Sequence, residues 1–263
     1  MYDKSISEAS RSALVEICST LGSQYKDDFV LAGGWVPYFL TKRHFDHCGS
    51  KDIDLVFKPN VMRRYESIRK LLERFSYVRD SENPFCFRRE TKSPYDGTPH
   101  EVVIDLLTEP SGARFANLAR IQADLTACII EGCSLVFDFN RVQKVEGVLP
   151  KGGKITASLK TADVFSIMVL KGLALPRLNP KDSYDIYAVA GFAFGSPEKS
   201  AEKFKAGLKK AGRNATVRRG VTNILSAFRS EDSYGPRQVE LFTGDAEVGR
   251  DAYLRVKRFL DRL

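Results

Sequence analysis

Apolar residues recur at helical spacing over residues 5–21, where Ile6, Ala9, Ala13, Ile17 and Leu21 fall on one side, and Ser5 with Glu8 reads as a capping box opening that helix. Asp28-Phe-Val-Leu-Ala32 is a short apolar run with strand character, stopped by Gly33-Gly34, and a helix is expected from Trp35 to Thr41. A polar connection rich in His, Arg and Lys follows. Lys51 to Phe57 then alternates polar and apolar residues with the period of a strand, and Pro59-Asn60 ends it. Val61 to Phe75 predicts an amphipathic helix with Val61, Tyr65, Ile68, Leu72 and Phe75 on one side. Phe85–Glu90 and Glu101–Leu107 predict two strands joined by the turn-rich Ser93–Pro99. Residues 135–160 predict a small β-unit that includes Lys151-Gly-Gly-Lys154. From Thr161 the pattern turns helical, with helices over Thr161–Ala174 and Pro180–Phe194 and two or three more to the C-terminus.

This order predicts an α/β (α+β) chain. Residues 1–160 form a mixed-sheet domain covered by helices, and residues 161–263 form a helical C-terminal domain. With 43% hydrophobic residues the chain is able to bury a core and is too apolar for disorder. Its longest strongly apolar stretch, Val164 to Leu170, falls far short of the roughly 20 residues a membrane helix needs. No basic-then-apolar leader opens the chain, so a soluble cytoplasmic protein without membrane attachment is expected. The five cysteines form no C-x-x-C pair and are expected to be reduced and buried. His44 and His47 read as surface residues of a polar segment rather than a zinc pair.

Charge changes the picture. The net charge is +8, and residues 198–263 hold 15 Lys/Arg against 9 Asp/Glu. Between Lys203 and Arg219 there are seven basic residues and no acid, which suits a polyanionic partner such as RNA. Lys209, Lys210, Arg218 and Arg219 are candidates for that contact. A solvated helix face accounts for the same charges.

The candidate chemistry begins with Asp52 and Asp54. Two residues apart on a predicted strand, their side chains leave the same side, while Ile53 and Leu55 point into the core. Paired carboxylates suit a hard divalent cation, Mg²⁺ or Mn²⁺. Asp105 interrupts the apolar strand Val102–Leu107, and it joins the pair if the two strands are neighbours. Three carboxylates are able to hold two metal ions for phosphoryl chemistry. Gly33-Gly34, between a strand and a helix start, offers close backbone approach to phosphate oxygens. Further on, Lys171 interrupts an apolar helix, and Asp182 and Asp185 share a helix face. Lys171 is read either as a phosphate ligand or as an interhelical tie to Asp182 or Asp185.

The order strand, Gly-Gly, helix, D-x-D, later strand acid resembles the nucleotidyltransferase signature of the DNA polymerase β superfamily. With Lys171, Ala174, Arg177, Lys181, Asp182 and Asp185 it resembles the AbiEii-type toxins, a group that includes the MenT toxins, over roughly residues 28–190. Where that family usually has Gly-Ser, this chain has Gly33-Gly34. The resemblance implies a polymerase-β-type catalytic domain. It implies transfer of a nucleoside monophosphate from an NTP to an acceptor, with RNA, and tRNA in particular, as acceptor and a cognate antitoxin protein as partner. It makes Asp52, Asp54 and Asp105 the metal ligands and catalytic acids, with Lys171, Asp182 and Asp185 beside them. Gly33, Gly34, Lys51, Arg177 and Lys181 are then on the nucleotide. Two other readings compete: a small-molecule nucleotidyltransferase of the antibiotic-modifying kind, and a non-catalytic nucleotide- or RNA-binding module.

Overall fold

The computed structural model describes residues 1–62, 65–110 and 117–263. By their contacts these fall into two compact units. One comprises Tyr2–Trp35 and Cys48–Ala162; the other comprises Asp163–Leu263 with Val36–His47 and Met1. A segment from the first third of the chain thus belongs by its packing to the C-terminal unit.

The first unit is a nine-stranded mixed sheet under a long helix. Helix α1 spans Lys4–Tyr25. The strands are β1 (Phe29–Leu31), β2 (Asp52–Phe57), β3 (Val78–Arg79), β4 (Cys86–Lys92), β5 (Pro99–Thr108), β6 (Leu118–Gln122), β7 (Leu125–Ile129), β8 (Asn140–Val148) and β9 (Lys154–Ala162). Their order is β3-β4-β5-β2-β1-β9-β8, with β7 joined to the end of β5 and β6 paired to β7. β2 runs parallel to β5 and β1 parallel to β9, while β4–β5 and β8–β9 are antiparallel hairpins. The two strands expected over 85–107 pair as a hairpin, β4 with β5, and the small β-unit expected over 135–160 is the hairpin of β8 and β9, preceded by a 3-10 turn over Cys133–Phe137. At the tip of the second, Gly152 and Gly153 both adopt φ near +89°, which a side chain would resist.

Helix α1 begins at Lys4, one residue before the expected 5–21, and runs four residues beyond it. Asp3 is the N-cap, accepting from the Ser5 amide at 2.8 Å, so the capping box read at Ser5 is not the start. Ser5 instead lies inside the helix, its hydroxyl 2.7 Å from Asp96 and His100. Ser7, Ser10 and Ser12 are buried too. Ser7 donates to the Cys48 carbonyl and Ser12 to the Val148 carbonyl, while Ser10 accepts from the Trp35 indole. Small hydroxyls let the helix sit close, and each finds the partner a buried polar group needs. Glu16 completes this face by pairing with Arg89 of β4 at 2.6 Å.

The helix expected over 61–75 is shorter. Helix α3 runs Ile68–Arg74, capped by Ser67, whose hydroxyl accepts from the Lys70 amide. Val61 is buried outside any helix and Tyr65 is 94% exposed, so neither lies on a helical core stripe. Residues 63–64 of the expected helix lie outside the described residues. At the far edge of the sheet, the carbonyls of Lys144, Glu146 and Val148 in β8 are taken by Gln143, Arg11 and Ser12. Strand addition at this edge is blocked by those side chains.

The second unit is helical: α2 (Trp35–Thr41, of which all but Trp35 belongs here), α4 (Val164–Ala174), α5 (Pro180–Phe192), α6 (Pro197–Ala211), α7 (Ala215–Ala227), α8 (Tyr234–Thr243) and α9 (Ala246–Leu260). Four helices follow α5, one or two more than the pattern predicted. Asp163 and Ser166 form a reciprocal capping box that fixes the start of α4. Helices α4 and α7 cross at glycines, since a Cβ on Gly172 would stand 2.3 Å from the Gly220 carbonyl oxygen. Asn223 of α7 donates to the Gly172 carbonyl at 3.0 Å. Among the described residues no helix is long and apolar enough to cross a membrane.

Candidate functional site

Strand alternation puts Ile53, Leu55, Ile104 and Leu106 on the fully buried side of β2 and β5. The acids therefore emerge on the other side. The parallel register sets Asp54 directly opposite Asp105 and Asp52 opposite Val103, and in the next strand Cys86 stands opposite Asp105. The conditional in the sequence reading, that the two acidic strands be neighbours, is met in the structure. With strands about 4.8 Å apart, Asp52, Asp54 and Asp105 share one side of two adjacent strands. All three are half-buried.

Gly33 supports this row. It adopts φ +61°, and a Cβ placed on it would lie 1.7 Å from Asp54 Oδ2 and 2.4 Å from its Cγ. The Asp54 carboxyl group therefore rests against the glycine backbone, where any other residue would displace it. The Ala32 amide also donates to the Asp54 carbonyl at 2.9 Å, pinning the turn to β2. Gly34 is buried in the same turn, and Lys51 is exposed just before β2. The helix after the turn has only seven residues, so its dipole adds little to phosphate attraction.

Burial raises the Asp105 carboxyl above its ordinary range, partly offset by a hydrogen bond from Cys86 and the charge of Arg88. The Cys86 thiol donates to Asp105 Oδ1 at 2.8 Å. Its own proton is held more tightly than usual, through desolvation first and the nearby carboxylate second. Sequence reasoning missed Cys86; its position at the start of a strand beside an acidic one was the available signal. Among the described residues no three His, Cys, Asp or Glu side chains are gathered closely enough to hold a metal ion as they stand. Asp54 lies over Gly33 and Asp105 faces Cys86.

The second cluster lies wholly in the helical unit. Lys171 of α4 places its ammonium 2.7 Å from Asp182 Oδ1 and 2.7 Å from Asp185 Oδ2 of α5. Lys181 reaches Asp185 Oδ1 at 2.7 Å, and the exposed Arg177 lies 3.8 Å from Asp182. The interhelical tie weighed for Lys171 is therefore present. Burial opposes charge on Lys171, but the two carboxylates outweigh it and raise its proton affinity. Burial likewise disfavours charge on Asp185, and Lys171 and Lys181 overcome it, so Asp185 stays ionised.

His47 corrects the sequence reading. It is 3% exposed, not a surface residue, and its Nε2 lies 3.0 Å from Asp185 Oδ1. Phe45 beside it stacks on Phe192 with ring centroids 4.5 Å apart, so the polar-looking segment 42–47 is anchored by aromatic burial. Desolvation lowers the His47 pKa to about 4 against the pull of Asp185, leaving the ring neutral near pH 7. His44, by contrast, is exposed.

Lys209 and Lys210 end α6, and Arg218 and Arg219 lie in the first half of α7; all four are exposed. The five cysteines are free thiols, with Cys18, Cys86 and Cys133 buried and Cys48 and Cys128 half-buried. No protein-family model matches the chain, and neither a curated protein nor a solved structure is detectably similar to it.

Proposed function

We propose that this protein is a metal-dependent nucleotidyltransferase of the polymerase β type, moving a nucleoside monophosphate from an NTP to an RNA acceptor, tRNA in particular. One observation carries the reading: Asp54 and Asp105 face each other in register across parallel strands, with Asp52 on the same side and Gly33 against the Asp54 carboxyl group. Three acids on one side of an otherwise apolar strand pair concentrate negative charge where a divalent cation would be favoured.

The donors fit a hard divalent cation. All are carboxylate oxygens, and burial penalises the charge of Asp105 by more than Cys86 and Arg88 offset. Asp52, Asp54 and Asp105 would hold Mg²⁺, or Mn²⁺ in its place. Such an ion neutralises phosphate charge and favours the deprotonated form of an attacking hydroxyl. In the transfer, the acceptor oxygen bonds to the α-phosphorus and the bond to the β-phosphate oxygen breaks. Pyrophosphate leaves, and the hydroxyl proton passes to solvent. The chain contributes position: β2 and β5 fix the acids, and Gly33 leaves Asp54 its place.

Roles for Lys171, Asp182, Asp185, Arg177 and Lys181 toward the nucleotide, and for a cognate antitoxin, rest on the resemblance to the AbiEii-type toxins. Lys171 would exchange a carboxylate for a phosphate in that role. The test is incubation of the protein with Mg²⁺, each α-³²P-NTP in turn and total cellular RNA, beside Asp52→Ala/Asp54→Ala. Label on a tRNA-sized band, absent with the double variant, is expected. Absence of label on RNA together with absence of pyrophosphate release would remove the reading.

A further inference from the structure

The β8–β9 hairpin carries a charge asymmetry of its own. Between Asn140 and Ala162 there are five basic residues, Arg141, Lys144, Lys151, Lys154 and Lys160, and one acid, Glu146. The register pairs Val148 with Lys154, Glu146 with Thr156, Lys144 with Ser158 and Val142 with Lys160, so those side chains line one side of the hairpin, where three lysines outnumber the single acid. The opposite side is closed: Val145, Ala157 and Leu159 are buried, and Gly147 meets Val15 of α1. On the lysine side Val142 is 68% exposed, and Lys144, Lys154 and Ser158 are exposed as well.

Strand pairing fixes which side of the whole sheet this is. Thr161 of β9 pairs with Leu31 of β1, and Leu31 pairs with Leu55 of β2. Lys160 and Asp54 each stand one residue off that line, so they leave the sheet on the same side. The strand order makes the hairpin the outer part of the side that bears the acids, and Val30 of β1 and Ala32 just after it, between the two, are buried.

The surface matches the chemistry of a sugar–phosphate chain. Lys154 and Lys160 are six residues apart, about 20 Å along the strand, and Lys144 falls between them on the neighbouring strand. The Ser158 hydroxyl, between the lysines, is a donor suited to phosphate oxygens, and Val142 offers an apolar contact to a ribose or base. An open sheet face suits a single strand with splayed bases rather than a duplex. Lys160 pairs with exposed Asp27 at 2.8 Å, a screened contact that a phosphate would replace.

We propose that this side of the β8–β9 hairpin binds single-stranded RNA and so brings an acceptor strand to the side of the sheet where Asp52, Asp54 and Asp105 stand. The delivery rests on the nucleotidyltransferase reading; the binding does not.

The experiment is a fluorescence anisotropy titration of fluorescein-labelled oligouridylate, in EDTA and without NTP, over a range of salt. The wild type is compared with Lys144→Glu/Lys154→Glu/Lys160→Glu and with the milder Lys→Gln triple at the same positions. A further variant carries Glu at Lys209, Lys210, Arg218 and Arg219. The glutamate triple is expected to bind at least tenfold more weakly with its melting temperature unchanged. In the glutamine triple the slope of log K against log salt is expected to fall by about 2, three phosphate contacts at roughly 0.7 each. No binding by the wild type, or wild-type affinity and slope in both triples, would overturn the proposal, as would loss confined to the helical variant. Asp52→Ala/Asp54→Ala separates the two readings. RNA binding that depends on the hairpin and persists in this variant, with no NTP turnover by the wild type, would keep the surface and remove the enzyme.

Discussion

Asp54 and Asp105 are in-register partners across the parallel strands β2 and β5, the one place in this strand pair where two acids meet face to face. Such a pair concentrates negative charge at one point of the sheet, and it gives the nucleotidyltransferase reading its sharpest test. Asp54→Asn and Asp105→Asn are each expected to lower Mg²⁺-dependent label transfer at least about a hundredfold, some 2.7 kcal/mol of barrier. A thermal melt of each variant beside the wild type checks that the loss is one of chemistry and not of folding. EDTA should abolish transfer in the wild type, and Mn²⁺ should restore it. An Asn variant with full transfer would exclude this pair from the chemistry.

Gly33 is tied to Asp54 by space. Alanine there would put a methyl group 1.7 Å from Asp54 Oδ2 and would have to hold φ +61°. Gly33→Ala is expected to cost about 1–3 kcal/mol in a urea melt from backbone strain. It should also reduce transfer as strongly as Asp54→Asn, because the carboxyl group must move. Asn tolerates positive φ better than Ala but is larger, so Gly33→Asn should recover no transfer.

The cluster in the helical unit predicts stability effects first. Asp185 accepts from Lys181 and pairs with Lys171 with its side chain fully buried. Lys171→Met leaves Asp182 and Asp185 with one cation fewer, and breaking such a buried pair costs about 3–5 kcal/mol. The double variant Lys171→Met/Asp185→Leu should be more stable than Lys171→Met alone, since it removes the stranded charge. Urea denaturation of both checks this; equal losses would show that the pair is not coupled.

His47 sets the pH response of the same unit. Its folded pKa of about 4 lies below the ordinary value of 6.5, because burial disfavours the charged ring. The unfolded chain therefore binds the extra proton first, and stability is lost as pH falls from about 6.5 toward 4. The full effect is up to roughly 3 kcal/mol. The lowered Asp185 pKa acts in the same direction but only below its ordinary value of 3.8, so it does not contribute at pH 5–6.5. Chemical denaturation of the wild type across that window should lose stability toward pH 5. His47→Gln should show a flatter dependence, and identical slopes would place the titration elsewhere.

What could be read from the sequence follows from how local each signal is. The strand alternation at Asp52–Phe57 and the helix Trp35–Thr41 depend on neighbours in the chain, and both stand as expected. That Asp105 joins Asp54 depends on a parallel pairing across 50 residues, which no local pattern encodes. Nothing in the sequence marks Ser7, Ser10 and Ser12 as buried; their burial depends on the Cys48 and Val148 carbonyls and the Trp35 indole. His47 was hidden for the same reason: a polar segment became internal because Phe45 had an aromatic partner at Phe192. Strands β3, β6 and β7 went unread, being two to five residues long and without clear alternation.

One substitution in two places should separate packing from propensity. Gly172 in α4 and Gly22 in α1 are both helical, and alanine is the better helix former at either by about 0.5–1 kcal/mol. At Gly22 an added Cβ meets nothing within 4 Å, so Gly22→Ala should raise stability by about that amount. At Gly172 the Cβ would stand 2.3 Å from the Gly220 carbonyl oxygen and 2.9 Å from its carbon, both backbone atoms that no rotamer change relieves. Helices α4 and α7 would have to separate, straining the Asn223 hydrogen bond to Gly172 as well. Overpacking of this kind costs about 1–3 kcal/mol, more than propensity returns, so Gly172→Ala should destabilise. Thermal melts of the two variants are expected to shift in opposite directions. A shift upward in both would mean that the α4–α7 crossing yields easily and that its close approach contributes little to holding the helical unit together.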